Sequence, residues 1–204
     1  MTGSNSKLQR TIDHMIDKVF LRFIPYSVKP NQVTIVRFVL IPLVYFLLTT
    51  NQFAAALVVF IIAASTDFID GAMARTRDQI TDLGKIIDPI ADKFLILTVL
   101  LYLGPNYPIV QIFVVFILLE LLAILLGAYF HSTVGRPIGA NFFGKIKMIL
   151  QSLSVGTFIL GILIKSNNLV DASEGVLLLA LVFAVLSGLE HVRVRMKSGT
   201  GLTS

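Results

Sequence analysis

The sequence predicts an all-α, polytopic membrane protein: six transmembrane helices preceded by an amphipathic helix on the membrane surface. Three observations carry that expectation. Hydrophobic residues make up 55% of the 204-residue chain and Asp, Glu, Lys and Arg only 14%, whereas soluble domains carry roughly 25% charged residues. Mean hydropathy is +0.84. The apolar residues gather into long runs approaching the span of about 20 residues that crosses a hydrocarbon layer. Such a chain has too little polar surface to coat a water-soluble sphere. A disordered chain and a fibrous repeat are excluded on the same grounds.

The elements follow in order. Residues 1–6 are small and polar. From Leu8 to Phe23 apolar residues recur at 8, 12, 15, 16, 19, 20 and 23, with Lys7, Arg10, Lys18 and Arg22 among them. This is helical spacing with a basic face, the pattern of a helix resting on a membrane. The segment has no short apolar core with a small-residue cleavage site, so it does not read as a signal peptide. Pro25 and Pro30 interrupt the pattern, and Asn31 is placed to cap the first span. Val33–Thr50 is apolar apart from Arg37. Phe53–Ser65 opens the second span and leads into polar TDFIDGAMAR. The loop TRDQITDLG follows. The third span is polar from Lys85 to Lys93 and apolar to Leu103, so spans two and three reach crossing length only if their polar ends are helical. After a turn at Gly104–Pro108, Ile109–Phe130 forms the clearest span, with Glu120 at its middle. A polar connection runs from His131 to Phe143, and Met148–Ile164 is the fifth span. Asp171 and Glu174, three apart, resemble a capping box opening the sixth, which runs to about Val192. The domain boundaries expected are 1–29 for the tail and surface helix, 30–197 for the membrane domain and 198–204 for a polar tail.

Charge sets orientation. Of the 17 Lys and Arg residues, only Lys165 falls in the first, third or fifth connection between spans. By the positive-inside rule both termini, and the polar ends of spans two and three, are cytoplasmic. The expected location is the cell (inner) membrane. The net charge of +5 points to the anionic leaflet of the bilayer as partner, not to nucleic acid. With no cysteine, thiolate metal sites, disulfides and Cys nucleophiles are excluded. His14, His131 and His191 are scattered, and no Ser–His–Asp arrangement is visible.

The chemistry concentrates in DFIDGAMARTRDQITDLGKIIDPIAD, residues 67–92. Asp67 and Asp70 are three apart and Asp88 and Asp92 four apart, so each pair shares one helix face. A short connection makes the two helices antiparallel neighbours, and four carboxylates can then converge at one depth. Each Asp within a membrane costs roughly 2.5–3.5 kcal/mol on insertion scales, and four together repel. Hard divalent cations would compensate: Mg²⁺, Mn²⁺ or Ca²⁺ in preference to zinc. Gly71 and Gly84 leave room for a bulky group against the backbone, and Arg75, one turn beyond Gly71, can meet a phosphate. Pro89 frees the Lys85 carbonyl and predicts a bend in the third helix. Acids, metal and Arg are the parts that hold a pyrophosphate. Two other readings stand beside this one: solvated loop positions, and the ion or proton pathway of a transporter.

The pattern D-x2-D-G-x2-A-R-x8-G-x3-D-x3-D resembles the signature of the CDP-alcohol phosphatidyltransferases, and all eight fixed positions match: Asp67, Asp70, Gly71, Ala74, Arg75, Gly84, Asp88 and Asp92. The resemblance implies an enzyme that moves a phosphatidyl group from CDP-diacylglycerol to a polar alcohol and releases CMP. It implies Asp67, Asp70, Asp88 and Asp92 as ligands for Mg²⁺ or Mn²⁺, two ions in all, and Asp92 as the base that takes the acceptor's proton. Gly71, Ala74, Arg75 and Gly84 would surround the CDP moiety together with Asp67 and Asp70. Members are commonly homodimers.

IIDPIADK resembles the branches that transfer to glycerol 3-phosphate and to phosphatidylglycerol, and PNQVTIVRFVLIP and GKIK at 144–147 resemble the first of these; glycerol 3-phosphate is the expected acceptor, with phosphatidylglycerol, inositol and inositol phosphate as the alternatives. Arg136, Lys145 and Lys147 are candidates for the acceptor phosphate, and plain positive-inside charge explains them equally. Enzymes of that branch often carry Arg-Glu in the fourth span, where this chain has Leu119-Glu120. Glu120 is expected to pair with Arg37 or a Lys, or to bind substrate. Thr34 and Arg37 sit where they can touch CDP, with capping and snorkelling as the plain alternatives.

Overall fold

The computed structural model describes residues 30–76, 82–134 and 142–199. The surface helix expected over residues 8–23, and Arg136, lie outside the described residues. Within them there are six α-helices and no strand: α1 (Pro30–Thr49), α2 (Phe53–Thr76), α3 (Asp82–Leu103), α4 (Pro108–Val134), α5 (Phe142–Leu163) and α6 (Asn167–Gly199), with a 3₁₀ turn at Gly104–Asn106. Four helices contain stretches long and apolar enough to cross a membrane: Gln32–Thr49, Pro108–Tyr129, Phe142–Leu163 and Asn167–Glu190. A shorter apolar stretch, Phe53–Thr66, lies in α2. The chain is an integral membrane protein by this measure.

Several boundaries differ from the sequence expectation. α1 begins at Pro30, so Asn31 lies in the first turn instead of capping it. Proline suits a first helical position because its missing N–H has no intrahelical partner there. α6 begins at Asn167, which places Asp171 and Glu174 inside the helix and removes the capping box. Helix α4 continues through His131 to Val134, so the first four residues of the expected connection belong to the helix. The polar ends of α2 and α3 are helical to Thr76 and from Asp82, and neither helix is among the four that are long and apolar enough to cross. α3 also runs unbroken through Pro89.

Two tight turns share one geometry. After α1, Gln52 N–H bonds Leu47 O at 2.8 Å and Asn51 N–H bonds Leu48 O at 3.0 Å; after α5, Ser166 N–H bonds Gly161 O at 2.9 Å and Lys165 N–H bonds Ile162 O at 3.2 Å. This pair of bonds is the Schellman motif, which needs a left-handed residue at the helix end. Asn51 (φ 58°) and Lys165 (φ 54°) supply it.

α3 is the centre of the bundle. It packs on α1, α2, α4 and α5, and Leu95, Ile96, Val99, Leu100 and Leu103 are all buried. α5 packs along α6 and against α2. The outward faces are apolar: Val39, Phe46, Ile112, Val115 and Leu119 are exposed. Such a surface suits lipid and would be an aggregation site in water.

Apolar side chains gain little from leaving lipid, so helices in a bilayer associate through close approach and interhelical hydrogen bonds. The α5–α6 pair has both. Ser154 Oγ donates to Ser173 O at 2.6 Å, and Ser173 Oγ reaches Thr157 Oγ1 at 3.0 Å. At Gly161 an added Cβ would lie 3.0 Å from Val170 Cγ2 and 3.2 Å from Val170 N. Gly161→Val is therefore expected to destabilise the protein by about 2 kcal/mol. Gly175, on the same helix pair, has nothing within 4 Å of an added Cβ, so Gly175→Ala is expected to be neutral or stabilising by up to about 1 kcal/mol. Thermal unfolding of the two variants in one detergent checks the contrast.

Candidate active site

The acidic residues fall on the facing ends of two neighbouring helices. Asp67, Asp70, Gly71, Ala74 and Arg75 occupy the last turns of α2; Gly84, Asp88 and Asp92 occupy the first half of α3. The two helices touch. The backbone thus brings both halves of the motif to one end of the bundle, as their spacing required. The side chains of Asp67, Asp70, Gly71, Ala74 and Arg75 lie outside the described residues. Of the others, Gly84 is buried, Asp88 half-buried and Asp92 buried at 4% exposure.

α1 closes over this end. Its residues Thr34 and Arg37, three apart and so on one face, are both buried. Thr34 Oγ1 donates to Asp88 Oδ1 at 2.6 Å. Arg37 Nε donates to Thr66 Oγ1 at 3.0 Å, and Thr66 Oγ1 in turn donates to Ala63 O at 2.6 Å. Capping and snorkelling therefore do not describe these two residues. Thr34 orients a motif carboxylate, and Arg37 ties α1 to α2 one residue before Asp67.

A second polar cluster meets α3 on a different face, through Lys93. Lys93 Nζ stands 3.0 Å from Glu120 Oε2, and Lys147 Nζ 2.6 Å from Glu120 Oε1. Lys93 also donates to Gln151 Oε1 at 2.6 Å. Glu120 therefore pairs with two lysines, as one of the expected alternatives had it, and not with Arg37. Of the acceptor-phosphate candidates, Lys147 is in this cluster and Lys145 is exposed on α5. Lys93 and Gln151 were missed by sequence reading. A Lys directly after the last Asp of the motif and an amide within an apolar span were the available signals.

The residue types of the motif are those that suit a hard cation. The motif contains four Asp residues, Thr34 donates a hydrogen bond to one of them, Asp88, and the chain has no cysteine. Among residues with described side chains no group of three His, Cys, Asp or Glu converges; Asp67 and Asp70 are outside that set.

A helical end carrying this motif, under an apolar exterior, is the architecture of a lipid-processing membrane enzyme. The sequence model of the family described as CDP-alcohol phosphatidyltransferase matches residues 27–186, and the chain belongs to that family. A Bacillus subtilis (strain 168) protein named CDP-diacylglycerol–glycerol-3-phosphate 3-phosphatidyltransferase is 29% identical over 184 residues, covering 79% of this chain and 92% of its own. A Rickettsia bellii protein of the same name is 28% identical over 174 residues, covering 82% and 95%. An Escherichia coli (strain K12) protein, again of that name, is 42% identical over 82 residues, covering 38% and 44%.

Thr34→Val removes the donor to Asp88 while keeping shape. Loss of such a supporting hydrogen bond is expected to lower kcat/KM by about tenfold. Initial rates of CMP release, with thermal unfolding as the check on folding, test it.

Proposed function

We propose that this enzyme transfers the phosphatidyl group of CDP-diacylglycerol to sn-glycerol 3-phosphate, releasing CMP and forming phosphatidylglycerophosphate, a step of phospholipid synthesis. The observation that carries the reading is the motif itself, complete at eight positions and folded onto the facing ends of α2 and α3. The names of the relatives that span most of the chain supply the acceptor.

In this reading Asp67, Asp70, Asp88 and Asp92 hold divalent metal, Mg²⁺ or Mn²⁺, in two sites. Bound metal would draw charge off the pyrophosphate and stabilise departing CMP. The protein's own groups do the rest. Gly71, Ala74 and Gly84 leave space for the nucleotide, and Arg75 meets a phosphate. Thr34 lines the CDP side while its hydroxyl fixes the rotamer of Asp88. Asp92, buried on α3, takes the proton of the attacking hydroxyl. Lys147, with Lys145 and Arg136, receives the acceptor's phosphate. The six helices are six spans, the segment before residue 30 is a surface helix, and the domain runs from 30 to 197. Both termini and the active site face the cytoplasm in the cell inner membrane, and the working unit is a homodimer. A site at the cytoplasmic boundary lets the lipid tails stay in the bilayer while the nucleotide remains in water.

One feature supports a different acceptor within the same chemistry. Position 119, where glycerol-phosphate enzymes often carry Arg, holds Leu119, 58% exposed on the outer face of α4. An acceptor panel decides: purified protein, Mg²⁺ or Mn²⁺ and CDP-diacylglycerol, with glycerol 3-phosphate, inositol, inositol phosphate, serine or phosphatidylglycerol. Metal-dependent CMP release with glycerol 3-phosphate is expected, and exclusive use of an acceptor without a phosphate would refute the assignment. Cation flux into proteoliposomes with no CMP formed would point to a transporter instead. Asp92→Asn is expected to lower kcat at least about a hundredfold, the usual weight of a general base.

A further inference from the structure

Three charged side chains from three helices meet inside the bundle, and their charges do not cancel. Lys93 of α3 and Lys147 of α5 share the Glu120 carboxylate of α4 at 3.0 and 2.6 Å. Gln151 completes the cluster, accepting from Lys93 at 2.6 Å and donating to Glu120 Oε2 at 3.4 Å. With two ammonium groups against one carboxylate, one positive charge is left over within the cluster. In a low-dielectric interior an excess charge is stabilised by a counter-ion. The more open ammonium is that of Lys147, 17% exposed against 4% for Lys93, so an incoming anion meets Lys147.

Glu120 cannot receive that anion. Its two oxygens already face the two lysines, and a carboxylate repels a phosphate. Its effect is on Lys147. Lysine is a point charge on a flexible stem, and fixing it on each binding event costs side-chain entropy. A carboxylate held on α4 meets that cost before the ligand arrives, which is preorganisation. It also neutralises Lys93, whose charge would otherwise push Lys147 away from α3.

We propose that Glu120 is a positioning residue for acceptor binding: it holds Lys147 in place for the anionic group of the alcohol, while its other partner, Lys93, follows the proposed base Asp92 on α3. The proposal rests on the reading of the acceptor as a phosphorylated alcohol.

The test is Glu120→Gln, which keeps the shape and removes the charge. Its KM for glycerol 3-phosphate is expected to rise roughly tenfold, with the KM for CDP-diacylglycerol unchanged, because only the acceptor's partner is displaced. Glu120→Asp is expected to recover part of the loss. Inorganic phosphate, titrated against the detergent-solubilised protein, is expected to raise the Tm of the wild type and to act on the variant only at roughly tenfold higher concentration. Where the single variant does not fold, Lys93→Met with Glu120→Gln removes the repulsion but still leaves Lys147 unheld, and the same KM rise is expected. An equal loss toward both substrates, an unchanged or lower KM for glycerol 3-phosphate, or an unaltered response to phosphate would each overturn the proposal. A wild type stabilised by phosphate yet inert with glycerol 3-phosphate would refute the acceptor assignment and leave the role of Glu120 standing.

Discussion

A charge placed inside a membrane bundle has to find its compensation within the reach of its own side chain, and this constraint organises α3. The helix carries Asp88, Asp92 and Lys93 within two turns. At 3.6 residues per turn, Lys93 lies about 140° around the helix from Asp88. The opposed charges therefore look to different neighbours. Asp88 takes its hydrogen bond from Thr34 of α1, and Lys93 takes Glu120 of α4 and Gln151 of α5. Two polar ties, on well-separated faces, set the rotation of the helix that bears half of the motif.

Those ties act on geometry more than on net stability. A buried ion pair repays its desolvation only when the geometry is good, and replacing such a pair with apolar groups is often neutral. Lipid-immersed apolar faces contribute little preference for one helix register over another. A carboxylate that must lie within reach of two ammonium groups from two other helices does contribute one. Where α5 meets α6 the same task falls to Gly161 and the Ser154–Ser173–Thr157 hydroxyls. There close approach replaces charge.

What the sequence disclosed, and what it withheld, follows from the range of each interaction. Helix order and the placement of Asp67 and Asp70 on α2 and of Asp88 and Asp92 on α3 are written in local periodicity, and the helices lie where the apolar runs placed them. Helix ends were harder. Asp171 and Glu174 have the spacing of a capping box, but the Schellman turn at Lys165 lets α6 begin at Asn167. The apolar patterning gives no warning of a lysine in a left-handed conformation. The partners of Glu120 were legible only as a short set of choices, because Lys93 and Lys147 each lie 27 positions from it in the chain (120 − 93 and 147 − 120) and no local period links them. Arg37 had one good local explanation, snorkelling, and the fold gives it another: a place against Thr66 between two helices.

The division of labour around α3 bears on how one fold serves many alcohols. The motif belongs to α2 and α3, and among the described side chains Thr34 of α1 donates to one of its carboxylates. The lysine–glutamate cluster belongs to α4 and α5 and meets α3 only through Lys93. A change in α4 or α5 can therefore alter the charge of the proposed acceptor site while the hydrogen bond from Thr34 to Asp88 is kept. Leu119 fits this view: its side chain faces outward, so the cationic charge that glycerol-phosphate enzymes often place there is not replaced at that position. In this chain the positive charge near Glu120 comes instead from α3 and α5, and the acid between them sets where it stands.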